Sequence, residues 1–188
     1  MWKLIISLSL LSCVGARLIA DGTDCVSLPK YTGGWYEIYS SQFIWNTTEN
    51  GCSCSQTYYN LNATDSSSIT IWNSCWRYGQ QFNVTGWAKQ INDTFPGQLH
   101  AELNFPGETT FPWKANYIIL YIWRSAAGDY EYSLVAGSDA DHWWLISRYP
   151  TVSADVWESA YQMLNAWGFN TEKPHLVDQT SETCSMLS

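Results

Sequence analysis

Six cysteines, three histidines and four N-x-S/T triplets are the residues of this 188-residue chain whose types and spacing could do chemistry. Cys52-x-Cys54 is too tight to pair with itself, and it has no histidine or second close cysteine pair to make a zinc site. The expectation is therefore no metal and no cofactor. A nucleophilic thiolate needs a base or cation beside it to lower its pKa. Cys75 is the thiol best placed for this, yet no histidine serves it. His100 faces away by alternation, His142 lies in a turn and His175 follows the last helix. Catalysis is not expected, and a bonded Cys75 would remove the idea altogether. Nothing marks a haem site either.

The N-terminus changes how the cysteines are read. MWKLIISLSLLSCVGA has one basic residue, an apolar run from Leu4 to Leu11, and small residues up to Ala16. Such a segment reads as a secretory signal peptide over 1–16, and it is too short to span a bilayer. Leu10-Leu11-Ser12-Cys13 loosely resembles a lipobox, but the run before the cysteine is short for one. With a leader removed, Cys25, Cys52, Cys54, Cys75 and Cys184 meet an oxidising compartment, so disulfides are expected, with one cysteine left over. The triplets at Asn46, Asn62, Asn83 and Asn92 then read as glycosylation sites on the outer surface of a secreted protein.

The elements that position these residues are mostly strands. Residues 17–188 suit one domain, 46% of the chain is hydrophobic and only 14% is charged. The net charge of −8, without a basic cluster, argues against nucleic acid and anionic membranes as partners. After YTGGWYEIYS (residues 31–40), runs rich in Tyr, Trp, Ile, Val and Thr recur between short polar turns. They cover 54–61, 68–77, 81–89, 98–105, 117–123, 132–136 and 143–148. A helical period appears only after Pro150. Ser153 is its cap, Val156, Ala160, Met163, Leu164 and Trp167 form its apolar face, and Gly168 ends it. This is an all-β pattern: an eight-stranded, antiparallel, up-and-down β-barrel with a C-terminal α-helix packed on the outside. Alternation puts Leu99, Ala101, Leu103 and Phe105 on one face, and Phe82, Val84, Gly86 and Ala88 on another. Asn83 points away from the second set, which makes that face the inner one. Small Gly86 and Ala88 are expected to leave room inside, with Tyr59 and Asn73 also inward. Eight strands are compatible with a side-chain-filled interior as well as with a cavity.

The motifs resemble the lipocalin family, in particular its apolipoprotein D and bacterial lipocalin (Blc-like) branch. Gly33-Gly34-Trp35-Tyr36-Glu37-Ile38 is similar to the G-x-W-Y-E-I motif that opens the first strand. Cys54-x-Gln56-x-x-Tyr59-x-Leu61 resembles the second strand. Asp129-Tyr130-x-Tyr132 resembles the second motif, and Trp144-Leu145-Ile146-Ser147-Arg148 the third. The resemblance runs from Cys25 to Cys184. It implies that Trp35 plugs the closed end with Arg148 across its ring, a cation–π contact of about 1–2 kcal/mol when partly desolvated. Gly33 lets the chain turn there, so these residues, with Asp129 and Tyr130, are structural. It implies a Cys54–Cys184 bridge. Cys52–Cys75 then joins hairpin neighbours and leaves Cys25 over, with Cys54–Cys75 and Cys52–Cys184 as the rival pairing. It implies a cavity for a small hydrophobic ligand such as a lipid, fatty acid, sterol, retinoid or bilin. Tyr59, Asn73 and Trp144 match the branch's pocket positions, and alternation adds Ile71, Val84, Leu99, Leu103 and Phe105. The expectation is a secreted carrier without stable membrane insertion. A receptor or other protein partner, met through loop residues 42–45 and 111–113, is the alternative.

Overall fold

The computed structural model describes residues 26–104, 115–180 and 184. The expected leader, Cys25, Phe105 and the 111–113 loop lie outside them.

Eight antiparallel strands form the barrel: β1 (Gly33–Ser40), β2 (Cys52–Leu61), β3 (Ser68–Arg77), β4 (Gln80–Gln90), β5 (Gln98–Leu103), β6 (Tyr117–Arg124), β7 (Tyr130–Ala136) and β8 (Trp143–Ser147). Each pairs with its neighbour in sequence, and β1 closes the ring by pairing with both β8 and β2. From β2 to β5 and from β6 to β8 the short polar turns are the cause, because they leave no length for any connection except to the adjacent strand. Two short helices escaped the sequence reading, α1 (Leu28–Tyr31) and α2 (Gln42–Asn46). Both are too short to show a helical period. Helix α3 (Ala154–Ala166) begins at Ser153, whose hydroxyl accepts from Val156 N, and Gly168 follows it with φ +80°.

The inner face of the barrel buries Trp35, Tyr59, Ile69, Ile71, Leu99, Ile119, Val135 and Ile146. A second core lies outside the wall, where Leu120, Leu134, Trp143 and Leu145 meet Ala160 and Leu164 of α3. Tryptophan therefore faces both ways. Trp143, fully buried in the outer core, donates its indole N–H to Asn170 O at 2.7 Å. Tyr39 stacks on Trp157 at 3.8 Å.

The barrel is laced where β1 leaves β2. Their ladder runs from Gly33↔Tyr59 to Tyr36↔Gln56 and stops. A two-residue strand, β9 (His175–Leu176), takes the freed edge of β1. Beyond it, Val177 N donates to Ile38 O at 2.9 Å and Cys54 N donates to Asp178 O at 2.8 Å. Gln179 completes the seam, its amide nitrogen donating to Glu37 O at 2.8 Å and Ser55 O at 2.7 Å. The Cys54–Cys184 disulfide anchors the same tail. A chain-entropy account makes such a long loop worth up to about 4–5 kcal/mol.

One expectation about space is corrected. Gly86 does not make room in the interior. A Cβ there would lie 2.2 Å from Glu102 O, so the glycine permits close approach of β4 and β5.

Candidate ligand-binding site

The closed end is sealed by a plug with nearly all its polar atoms paired. Trp35, on the first inward position of β1, is fully buried and donates its indole N–H to Tyr31 O at 2.8 Å. The guanidinium of Arg148 lies 3.7 Å from the Trp35 ring centroid. Its nitrogens donate to Gly34 O at 2.7 Å, Thr32 O at 2.8 Å, Lys30 O at 3.1 Å and Tyr31 O at 3.3 Å. Gly33 answers the geometry of this contact: its φ is +94°, and a Cβ would sit 3.3 Å from Arg148 Nη1. Only glycine adopts that backbone without strain. Tyr130 accepts from Ser27 N at 2.9 Å, and Asp129 is exposed in the turn before β7.

Above the plug, three tyrosines form a floor. Tyr31 and Tyr117 share a hydrogen bond at 3.1 Å, Tyr59 and Tyr117 one at 2.8 Å, and Tyr31 also meets Ser133 Oγ at 3.0 Å. Burial pushes all three hydroxyls above their usual pKa, so they remain neutral. The sequence reading missed Tyr31 and Tyr117. Tyr31 precedes the glycines, where no strand parity applies.

Above the floor lies a cavity of about 670 Å³. Its wall includes Tyr59, Ile71, Asn73, Val84, Leu103 and Trp144. Thr48, Phe82 and Asn104 also line it and are exposed, which marks the open end. Leu99 is different: it pairs with Tyr117 and packs fully buried in the inner core, without lining the cavity. His142, expected only as a turn residue, faces the lumen. It lines the cavity while hydrogen-bonding Asp139 at 2.6 Å. The reason is local: Gly137 and its neighbours turn the β7–β8 connection back over the mouth, with Gly137 N donating to His142 O. His100 is on the outer side of β5, yet it is fully buried beside Trp87 and hydrogen-bonded to Glu102.

Two carboxyl groups enter the cavity as well. Glu37 stands two residues beyond Trp35 on β1 and so shares its inward face. Glu49 arrives from the loop after α2, held by Glu49 N donating to Ile44 O and by Cys52 N donating to Glu49 O. The indole N–H of Trp144 donates to Glu49 Oε1 at 3.2 Å. Burial first, and then the Glu49 charge, hold Glu37 well above the usual carboxyl range, and burial raises Glu49 too. Both carboxyls are thus held toward the protonated form by burial. Four buried side-chain oxygens on the cavity wall have no hydrogen-bond partner: the acceptors Glu37 Oε1, Glu49 Oε2 and Asn73 Oδ1, and the Thr57 hydroxyl Oγ1. Glu37 was within reach of sequence parity, as the second residue after an inward tryptophan. Glu49 was not, because it lies in a loop without periodicity.

The cysteines bond as Cys52–Cys75 and Cys54–Cys184. Cys75 thus carries no thiol for nucleophilic chemistry. Asn46 and Asn83 are exposed, whereas Asn62 and Asn92 are half-buried and accept from Thr64 N and Thr94 N in tight turns. No group of three or more potential metal ligands occurs among the described residues. No helix among them is long and apolar enough to cross a membrane.

Comparison with known proteins agrees with this architecture. The sequence model of the lipocalin-like domain matches residues 26–179. The outer membrane lipoprotein Blc of Vibrio cholerae is 25% identical over 173 residues, covering 92% of this chain and 94% of that protein. Lobster apocrustacyanin A1 superposes with a TM-score of 0.59 at 14% identity, over 81% of this chain and 79% of its own. The cockroach allergen Per a 4 does so with 0.57 at 15% identity, over 88% and 92%. At such identities the two structures speak for the fold alone, and the sequence model for the family. The chain belongs to the lipocalin-like family, whose members are generally binding or transport proteins for small hydrophobic molecules.

Proposed function

We propose that this protein is an exported carrier that holds one small, largely apolar molecule inside the barrel. The observation that carries the reading is the cavity of about 670 Å³, walled by Ile71, Val84, Leu103, Tyr59 and Trp144, with a few polar atoms among them. Sites of this size and composition suit small ligands, which release water from apolar surface on entry. Residues 1–16 serve as the leader and 17–188 as the mature domain in this reading. The disulfides and the four glycosylation triplets favour an oxidising, extracellular setting.

The test is a titration of the delipidated, secreted protein with fatty acids, lysophospholipids, retinoids, sterols and bilins, followed by tryptophan fluorescence. Saturable quenching near one ligand per chain is expected. It should weaken when Trp144 or Asn73 is replaced and persist when exposed Trp76 is replaced. Absence of saturation across every class would reject the carrier reading. It would turn attention to a protein partner at the rim, where Phe43 is 44% exposed and packs edge-on against His142.

A further inference from the structure

We infer that the cavity selects a ligand with a positively charged amine head on an apolar body, and that the head is held by Glu37 and Glu49. The inference rests on the carrier reading and names the ligand class for the same cavity.

The polar atoms of the cavity are unbalanced in one direction. Glu37 is only 8% exposed, and its Oε1 is buried without a partner. Glu49 Oε2 and Asn73 Oδ1 share that state, and the Thr57 hydroxyl beside them is also unpartnered. Thr57 and Asn73 face each other across the β2–β3 ladder, and Thr57 is also opposite Trp35. Three open acceptors and one hydroxyl therefore collect in the belt just above the plug. What such a belt lacks is a further donor, and a buried acceptor without one costs about 1–3 kcal/mol.

No cation among the described residues supplies it. Among the described residues, no lysine or arginine lines the cavity. Arg148 lies across the Trp35 ring, with its donors directed at the carbonyls of Lys30, Tyr31, Thr32 and Gly34. The remaining ionisable groups on the wall are engaged elsewhere. Glu102 bonds His100, His142 bonds Asp139, and Tyr59 and Tyr117 bond each other as neutral hydroxyls.

An ammonium group has three N–H donors and no acceptor, which complements this belt. Charge-assisted hydrogen bonds to carboxylates are also stronger than neutral ones. The ring of Trp144, tied to Glu49 through its indole N–H, adds an aromatic wall beside the head. A ligand carboxylate would instead bring a third acidic group to two that already share a proton.

The proton balance is explicit. Burial holds both carboxyls above their usual pKa, so the empty pair shares one proton. An entering R–NH3+ displaces that proton, both carboxyls ionise, and one proton leaves to solvent. Net charge is zero on each side of the exchange.

The experiment uses the mature protein and three ligands with one common chain: dodecylamine, 1-dodecanol and dodecanoate, each below its micelle concentration. Calorimetry in two buffers of different ionisation enthalpy gives affinity and proton release together. Dodecylamine is expected to bind at least about tenfold tighter than the other two, with release of about one proton. The preference should shrink to within about threefold in Glu37→Gln/Glu49→Gln, which should still take dodecanol. Glu49→Gln alone, in a loop, and proton release by the unaltered protein keep the test valid if the double variant fails to fold. Equal affinity for the three heads, or an amine preference that survives both substitutions, overturns the assignment. If dodecanol saturates without an amine preference, only this inference falls. If none of the three saturates, the carrier reading falls with it.

Discussion

The two ends of the barrel interior are built on opposite terms. At the closed end a cation is present and its donors are spent: Arg148 covers Trp35 and reaches the carbonyls of residues 30–32 and 34. A few residues higher, oxygens of two carboxyl groups, of Asn73 and of Thr57 are buried without a partner, with no cation among the described residues around them. Both regions use inward positions of the same strand, Trp35 and Glu37. The difference shows what each region is for. A satisfied network contributes to the stability of the protein alone, whereas buried unsatisfied acceptors oppose it and are relieved only by something that enters.

The strongest way to break this contrast is to open the plug. Trp35→Ala removes a fully buried indole and should cost about 3–5 kcal/mol, read from urea denaturation. A loss under about 1 kcal/mol would mean that the closed end collapses around the gap and does not depend on the ring. Arg148→Met keeps the bulk but removes the donors and the cation. It should cost about 2–3 kcal/mol, with the cavity residues unaffected.

Glu37 sharpens the contrast through pH. Its folded-state pKa is raised above the usual 4.5 by burial and then by Glu49. The stabilisation linked to its proton is complete below that usual value. It is lost as pH rises toward the folded-state pKa, because the unfolded chain gives up the proton first. Glu37→Gln should therefore flatten the decline in stability as pH rises above 4.5. Parallel stability–pH curves for the two proteins would show that Glu37 is not held neutral. The smallest effect belongs to the rim. Phe82→Ala, at a side chain 44% exposed, should change stability by less than about 0.5 kcal/mol while altering the rate of ligand uptake in stopped-flow fluorescence.

Much of the frame was written in local patterns. Alternation of β-branched and aromatic residues between short polar turns gave seven strands to within a few residues of their observed ends, and the Ser153 cap and Gly168 bounded α3. The inward set Tyr59, Ile71, Asn73, Val84 and Leu103 followed from a period of two, because a pleated strand has only two faces. The Trp35–Arg148 contact followed from family resemblance, since the partners lie 113 positions apart and no local period connects them.

The rest depends on contacts made only when the chain closes on itself. Gly86 was read as open space, but it is the place where the β5 backbone comes nearest. Leu99 shared a face with Leu103 and still fell below the cavity, because height along the barrel is set by strand stagger and not by parity. Glu49 has no pattern at all, and only the fold of the α2–β2 loop brings it to Glu37 and Trp144. By itself, the sequence determined which residues face inward, through a geometry that repeats every two positions. Tertiary structure alone decided which inward residues meet, and whether water is excluded between them. Those are the facts that separate a plug from a binding site.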